Sequence, residues 1–320
     1  MAPSRQVERV DPNAFGAGRN SPRVAIQPKT QINSRVAVQS TPVAGTQNVD
    51  SLTENLPPAP GFNPAVLPLG GPGRRVAGWR VCAHDAVDST QSHAIDLPAW
   101  HAVTARRQTA GRGQRDRRFV SDEGGLYVTA VVPFDGDAVA WKGFALAVGW
   151  AVRLTLQRAG VRGLRLRWPN DLLVGARKVG GLLVTQGRAD TLCVGLGLNV
   201  TNQPWNEDPT LAETSGRLAD FATRSLPGSG RLTELVLRAI RAAHRNFLQR
   251  RLAGFVPVLN CCWGRPRRVR LEAAARGTLP ADEGFFAGID ESGHVLLELA
   301  DSRMVAVPEN GIQRLVEIAD

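Results

Sequence analysis

The sequence predicts an α+β fold in which a large domain is followed by a small β-domain. Strand-like segments occur in clusters and do not alternate strictly with helices, which argues against a doubly wound parallel sheet. Residues 137–160 and 232–252 carry apolar side chains at helical spacing. From about Trp263 onward, short strands follow one another as they do in small barrels.

The first half of the large domain is predicted to contain strands around a basic loop and then a helix. Residues 80–85 and 102–106 form strands, and a polar turn at 87–91 lies between them. Residues 108–121 form a loop rich in glycine and arginine, and residues 125–132 form a buried strand. Asp137 is expected to cap the helix that ends near Gly160.

The second half of the large domain is predicted to contain four strands and the long amphipathic helix. The small domain is predicted to contain four more strands. The strands of the large domain are expected at 164–168, 171–174, 181–186 and 192–200. Those of the small domain are expected at 267–273, 284–290, 295–299 and 304–308.

Residues 1–73 differ in composition from the rest of the chain. They contain 11 of the 21 prolines, many amide and hydroxyl side chains, and only two aromatic residues. This composition predicts a disordered extension, unless translation begins at a non-standard internal codon. The segment shows no paired amphipathic helices, so we expect no helix-turn-helix. The predicted parts are therefore residues 1–73, 74–262 and 263–320.

The net charge of +10 comes almost entirely from arginine, since only Lys29, Lys142 and Lys178 are lysines. A bias toward arginine codons and a phosphate-binding surface both explain this composition.

The four cysteines lack the spacing of a zinc site, and we expect no bound metal and a reducing cytoplasm. No apolar run is long enough to span a bilayer, and the N-terminus lacks the apolar region of a signal peptide.

A basic glycine loop at residues 111–118 is the first candidate site. Glycines let the backbone approach a ligand closely, and arginines offer planar donors to phosphate. A solvated turn explains the same pattern.

The second candidate is Arg167-Trp-Pro-Asn-Asp171 with Lys178. A hairpin would return Lys178 to Asp171, either as an exposed ion pair or to hold a carboxylate against a phosphate.

Two further candidates are polar or glycine-rich. Ser89-Thr90-Gln91 could hydrogen-bond a polar ligand head or could cap a helix. Gly195-Leu-Gly-Leu-Asn-Val200 is a strand whose glycines indicate close approach of backbone or ligand. The sequence shows no set of residues that would generate a covalent nucleophile, which suits chemistry based on positioning and charge neutralisation.

The order of these motifs, from Ser-Thr-Gln through Trp-Pro-Asn-Asp and Lys178-Val-Gly-Gly to Gly-Leu-Gly-Leu-Asn, resembles that of the biotin protein ligases over about residues 80–315. The resemblance implies a catalytic domain related to class II aminoacyl-tRNA synthetases and a C-terminal SH3-like domain. It implies that MgATP and biotin form biotinyl-5′-AMP, and that biotin then passes to a lysine of a biotin carrier domain. Bifunctional members of that family carry an N-terminal winged helix, which residues 1–73 do not resemble, so we expect a monofunctional enzyme without specific DNA binding. We also expect no membrane binding, and edge strands near the glycine loop could support a homodimer.

The resemblance also assigns expected roles to residues, position by position. Lys178, Arg112 and Asp171 would be catalytic. Biotin would contact Ser89, Thr90, Gln91, Gln108, Arg112, Gly113, Gln114, Lys178 and Gly181. The nucleotide would contact Arg115, Phe119, Asn170, Asp171 and Asn199.

The chain departs from the usual family pattern within the glycine loop and beside two other motifs. Gln114, Asp116 and Phe119 replace an arginine, a glycine and a tryptophan, Arg167 replaces a lysine, and Gln91 replaces an asparagine. Because Gln114 removes a positive charge, we expect a looser loop with slower adenylation or leakage of the intermediate. The alternatives are a lipoate or octanoate ligase, a catalytically impaired biotin- or nucleotide-binding homologue, and a biotin-responsive repressor.

Overall fold

A computed structural model describes residues 73–264, 266–274 and 279–318. The predicted disordered extension, residues 1–73, lies outside the described residues apart from Gly73. Among the residues described, no helix is long and apolar enough to span a membrane.

An eight-stranded mixed sheet forms the larger part of the structure. Its strand order is β1-β2-β3-β4-β8-β7-β6-β5, and all neighbours are antiparallel except β2 and β3. The strands are β1 Arg74–Val76, β2 Trp79–Val87, β3 His101–Gln108, β4 Leu126–Pro133, β5 Leu164–Arg167, β6 Asp171–Val174, β7 Arg177–Gln186 and β8 Thr191–Leu198. The mixed sheet and its helices confirm the predicted α+β class.

A five-stranded antiparallel sheet follows, in the order β12-β11-β10-β9-β13. The strands are β9 Arg267–Ala273, β10 Glu283–Ile289, β11 Val295–Glu298, β12 Met304–Val307 and β13 Ile312–Glu317. Strand β13 was not predicted from the sequence. A register shift between Ile312 and Arg314 places the buried residues Ile312 and Leu315 three positions apart, which hides the period of two.

The described residues contain four α-helices: α1 Thr90–Ala94, α2 Phe144–Arg158, α3 Ser229–Arg250 and α4 Val256–Trp263. The prediction that Asp137 caps α2 is wrong. The α2 helix begins at Phe144, after Gly143 at φ 75°. Asp137 instead accepts hydrogen bonds from the Val139 and Ala140 amides in a turn that precedes the helix. The short α4 was not predicted.

The two faces of the large sheet differ. One face packs against α2 and α3 through the main core, to which β4 contributes Val128, Ala130 and Val132. The other face is covered only in part. There Val131 and Cys193 join Ala94 and Leu97, from α1 and the turn after it, in a small cluster. The remainder of this second face is free to form a site.

Candidate active site

The floor of the candidate site is the open part of that second face. Side chains alternate between the faces of a strand, and here three of the positions that face the site are glycines. Gly181 pairs with Gly197, and Leu183 pairs with Gly195, across β7 and β8. A β-carbon on Gly195 would lie 2.6 Å from Gln91 Oε1, and one on Gly197 would lie 2.5 Å from Phe119 Cε1. The glycines therefore make room for side chains from outside the sheet.

A neutral hydrogen-bond network lies at one end of this floor. Gln108 Oε1 accepts from the Thr90 amide at 2.8 Å and from the Thr90 hydroxyl at 3.1 Å. Gln108 Nε2 donates to Ser121 Oγ at 2.8 Å. The Ser89 side chain is buried and accepts from the Gln91 amide as the N-cap of α1, which is the helix-capping alternative.

Gln91 connects this network to the sheet. Its Nε2 donates to Thr185 Oγ1 at 2.7 Å and to the Cys193 carbonyl at 3.2 Å. The Thr129 hydroxyl lies 3.0 Å from Gln91 Oε1 and 2.9 Å from Thr90 Oγ1. The protein thus satisfies both amide hydrogens of Gln91, so this residue shapes the floor. We call Thr90, Gln91, Gln108, Thr129 and Thr185 the neutral end.

Thr129 and Thr185 were not among the predicted site residues. Thr129 is fully buried on β4, and its neighbours Val128 and Ala130 point into the main core. A hydroxyl inside an otherwise apolar buried strand is a usable signal, because a buried hydroxyl needs a hydrogen-bond partner. Thr185 gives no comparable signal, since its partner Gln91 is distant in the sequence.

A cluster of charges lies at the other end of the floor, and we call Arg167, Asp171 and Lys178 the charged end. Lys178 Nζ is 2.6 Å from Asp171 Oδ1, and an Arg167 guanidinium nitrogen is 2.6 Å from Asp171 Oδ2. This is the hairpin pairing that the sequence predicted, since β6 and β7 are adjacent antiparallel strands. Burial raises the pKa of Asp171, but the charges and hydrogen bonds of Lys178 and Arg167 outweigh it and hold the pKa below its usual value.

Lys178 remains reachable from the floor. Its side chain is 36% exposed, against 15% for Asp171. Its ammonium lies 5.9 Å from the centre of the Phe119 ring, which leans over Gly197. Gly181 also faces this cation, since a β-carbon there would lie 3.2 Å from Lys178 Nζ. A ligand anion on the floor would therefore meet Lys178 beside an aromatic ring.

Asn170 and Asn199 are both buried near the charged end. The Asn170 side chain donates to the Leu182 carbonyl, and Asn199 Oδ1 accepts from Asn202 Nδ2 at 3.2 Å. The Asn199 amide also donates to the Val179 carbonyl at 2.8 Å, one residue beyond Lys178. Both asparagines therefore brace the strands around Lys178 in this structure.

The basic glycine loop folds into a tight hairpin-like turn. The Gly113 amide donates to the Arg117 carbonyl at 2.7 Å, and the backbones of Arg112 and Arg118 form an isolated antiparallel β-bridge. Arg112 is exposed and Gln114 is half-buried. Arg115 does not point to the floor: its guanidinium donates to the Ile312 and Gln313 carbonyls of β13. The structure therefore places the Arg115 side chain against β13.

A groove of about 850 Å³ lies away from this floor. It runs between the ends of β4 and β8 and the start of α3, with Arg106, Leu126 and Ser229 among its lining residues. None of the predicted site residues lines it. We place the active site on the floor instead, because the ion pair, the polar network and the glycines converge there.

Comparison with known proteins shows the family of this chain. Residues 86–201 match the model of the biotin/lipoate A/B protein ligase family. A biotin–[acetyl-CoA-carboxylase] ligase of Paracoccus denitrificans is 30% identical over 231 residues, which cover 68% of this chain and 94% of that protein. The chain belongs to the biotin protein ligase family. The bifunctional ligase/repressor BirA of Escherichia coli K12 is 31% identical over 69% of this chain and 70% of that protein.

The fold agrees with that membership. The biotin protein ligase of Aquifex aeolicus, solved in complex with biotin and ATP, matches with a TM-score of 0.63 and 23% identity. The match covers 74% of this chain and 99% of that one. The large mixed sheet is therefore the catalytic fold of the family, and the five-stranded sheet is consistent with its SH3-like domain.

Proposed function

We propose that the protein is a biotin protein ligase that uses ATP to attach biotin to a lysine of a biotin carrier domain. The observation that carries the proposal is the Lys178 ammonium, which Asp171 holds at 2.6 Å at the end of an open glycine floor. The neutral network lies at the opposite end of that floor. A small acid with a polar, uncharged head and a carboxylate tail suits such a site.

In the first half-reaction, biotin would lie with its head at the neutral end and its carboxylate near Lys178. A carboxylate oxygen attacks the α-phosphorus of ATP, the bond to the β-phosphate breaks, and pyrophosphate leaves. Both reactants are anions and repel each other, so the Lys178 charge brings them together and stabilises the charge of the transition state. Mg²⁺ would enter as the counter-ion of ATP.

In the second half-reaction, the amine of the carrier lysine attacks the carbonyl carbon of biotinyl-5′-AMP. The bond to phosphate breaks, AMP leaves, and the amine loses a proton as the amide forms. This step needs the intermediate to stay on the floor until the carrier arrives. We propose that Arg112, which is exposed, and the Phe119 ring, which lies over Gly197, cover it.

The proposal gives each predicted site residue a role. We assign Lys178, Asp171 and Arg112 to catalysis, and the neutral end with Ser89, Gly113, Gln114 and Gly181 to the biotin side. Phe119, Asn170 and Asn199 belong to the nucleotide side, the last two through the strands that they brace. Arg115 joins this side only if its contact with β13 is released.

Further expectations accompany the proposal. The catalytic part would comprise residues 74–262 and the C-terminal domain residues 263–320, and the enzyme would act in the cytoplasm. It would bind no specific DNA sequence, which filter binding with duplex DNA across salt concentrations would test. Its oligomeric state, monomer or homodimer, is measurable by light scattering.

Intact-mass spectrometry of a purified biotin carrier domain tests the proposed function. The domain is incubated with the protein, MgATP and biotin, with lipoate and octanoate in parallel. We expect one lysine to gain the mass of biotin, and Lys178→Ala to abolish the gain. A gain only with lipoate or octanoate would establish the alternative acyl ligase. No gain with any acid, together with retained biotin binding, would indicate a binding homologue.

A further inference from the structure

A segment that follows β8 lies against the strand that carries Lys178. We call residues 202–216 the crossover segment. The Lys178 amide donates to the Thr214 carbonyl at 2.7 Å, and the Gly216 amide donates to the Lys178 carbonyl at 2.9 Å. Ser215 thus forms a parallel bridge with Lys178. Both the amide and the carbonyl of Lys178, the proposed catalytic residue, are therefore hydrogen-bonded to this segment.

Arg177 adds a side-chain clamp to that pairing. Its Nη1 donates to the Ala212 carbonyl at 2.7 Å and to the Ser215 carbonyl at 3.1 Å. One nitrogen therefore joins two carbonyls three residues apart and closes the turn between them. Glu213 lies between these residues in the chain, but it is 92% exposed and 3.9 Å from the guanidinium. The carbonyl contacts, and not that surface ion pair, hold Arg177.

The position of Arg177 beside Lys178 gives the two side chains different tasks. Successive strand residues point to opposite sides, and Lys178 points to Asp171 while Arg177 points to the crossover segment. The segment is held from the glycine loop as well, since Arg118 forms an ion pair with Glu207. It therefore lies between β7 and the glycine loop.

The crossover segment belongs to the charged end of the floor. Its N-terminal end is tied to Asn199 through Asn202, and beyond its C-terminal end the Leu218 amide donates to the Asn199 carbonyl at 2.8 Å. The neutral end is reached at Thr185, seven residues along β7 from Lys178. A change in this segment should affect a ligand near Lys178 and leave the neutral end intact.

We propose that Arg177 is a positioning residue for the nucleotide half of the reaction. By joining the Ala212 and Ser215 carbonyls it fixes the crossover segment as a wall beside Lys178, so that ATP meets a preformed site. This inference rests on the proposed function, because it takes the ligand at the charged end to be the nucleotide. Arg177 acts through the segment and does not itself touch the reacting atoms.

The decisive variant is Arg177→Lys. It keeps the positive charge, but an ammonium on a flexible stem does not reproduce the guanidinium geometry that spans two carbonyls. We expect the Kd and KM for ATP to rise about tenfold, which is the scale for losing one hydrogen bond to a charged group. The Kd for biotin alone should stay within about twofold of the wild-type value. Glu213→Gln is the matched control and should change neither constant.

Hydrogen exchange supplies a readout that does not depend on activity. In the unliganded protein, Arg177→Lys should speed exchange of the Lys178 and Gly216 amides, which pair with the segment, and leave the Gly195 amide unchanged. Wild-type exchange together with a wild-type Kd for ATP would overturn the inference. An equal rise in the Kd values for ATP and biotin would also overturn it, because it would show a general loss of structure.

The failure of this inference and that of the proposed function are distinguishable. If the wild-type protein forms no biotinyl-5′-AMP, the proposed function fails, and calorimetric titration with ATP still measures the Kd in wild type and Arg177→Lys. A selective loss of ATP affinity would then support the positioning role of Arg177. No difference in ATP affinity would contradict it.

Discussion

The two ends of the floor are built in different ways. At the neutral end, buried amides and hydroxyls from α1 and the strands satisfy one another, as when Gln91 joins Thr185 and Cys193. At the charged end, half-exposed cations surround one carboxylate, and arginines tie the neighbouring loops in place. The neutral end is therefore part of the folded core, whereas the charged end depends on side-chain clamps. Changes at the two ends should separate into effects on stability and effects on catalysis.

The largest effect should come from the charged end. Lys178→Ala removes the cation that faces the floor, so adenylation should slow by about 10²–10³-fold, the usual loss for one transition-state contact. The free energy of unfolding should change little, because the Lys178 side chain is 36% exposed. Biotin-dependent exchange of labelled pyrophosphate into ATP measures the rate.

Lys178→Arg is the control for charge at this position and should retain part of the rate. A slowing of less than about tenfold in Lys178→Ala would contradict the assignment of Lys178 as the catalytic cation.

At the neutral end, the main effect should be on stability. Gln108→Leu leaves the Thr90 amide without its partner and removes one partner each from the Thr90 and Ser121 hydroxyls, which keep Thr129 and the Phe119 carbonyl. We expect the free energy of unfolding to fall by about 1–3 kcal/mol, the cost of unsatisfied buried groups. Urea denaturation measures this change. Gln186→Leu, at the exposed end of β7, is the matched control and should cost less than about 0.5 kcal/mol.

The Asp171 carboxylate should contribute stability that depends on pH. Its pKa is lowered in the folded protein, so the ionised form stabilises the native state above the ordinary carboxyl pKa of about 3.9. That contribution is lost as pH falls through the lowered folded pKa. Asp171→Asn should therefore be less stable than wild type at pH 7, and the gap should narrow below about pH 4. A gap that stays constant between pH 7 and pH 3 in urea titrations would contradict this account.

The smallest effect should come from the glycine loop. Gln114→Arg places a positive charge where the resemblance to the family expects an arginine, and we expect biotinyl-5′-AMP to leave about two- to fivefold more slowly. An exposed charge pair contributes an effect of this size. Filtration of the protein with labelled intermediate gives the release rate. An unchanged rate would show that Gln114 does not loosen the loop.

The sequence predicted those parts of the molecule that depend on neighbouring residues. Strand β6 begins and ends where the flanking turns indicated, β9 has the predicted bounds, and the Lys178–Asp171 pair followed from one hairpin. The contact of Arg115 with β13 joins residues 198 positions apart and had no local signal. The hydrogen bond from Arg177 to the Ala212 carbonyl was missed for the same reason. Long-range side-chain contacts depend on how the elements pack, which local patterns do not encode.

The most direct test of the account is a carrier-free single turnover with ATP labelled at the α-phosphate. The protein is mixed in excess with the labelled ATP, biotin and Mg²⁺, and the products are separated. We predict that the label appears in biotinyl-5′-AMP with an equal amount of pyrophosphate, and that Lys178→Ala forms almost none. Release of ADP, or no consumption of ATP when biotin is present, would contradict the claim that the floor joins a carboxylate to the α-phosphate.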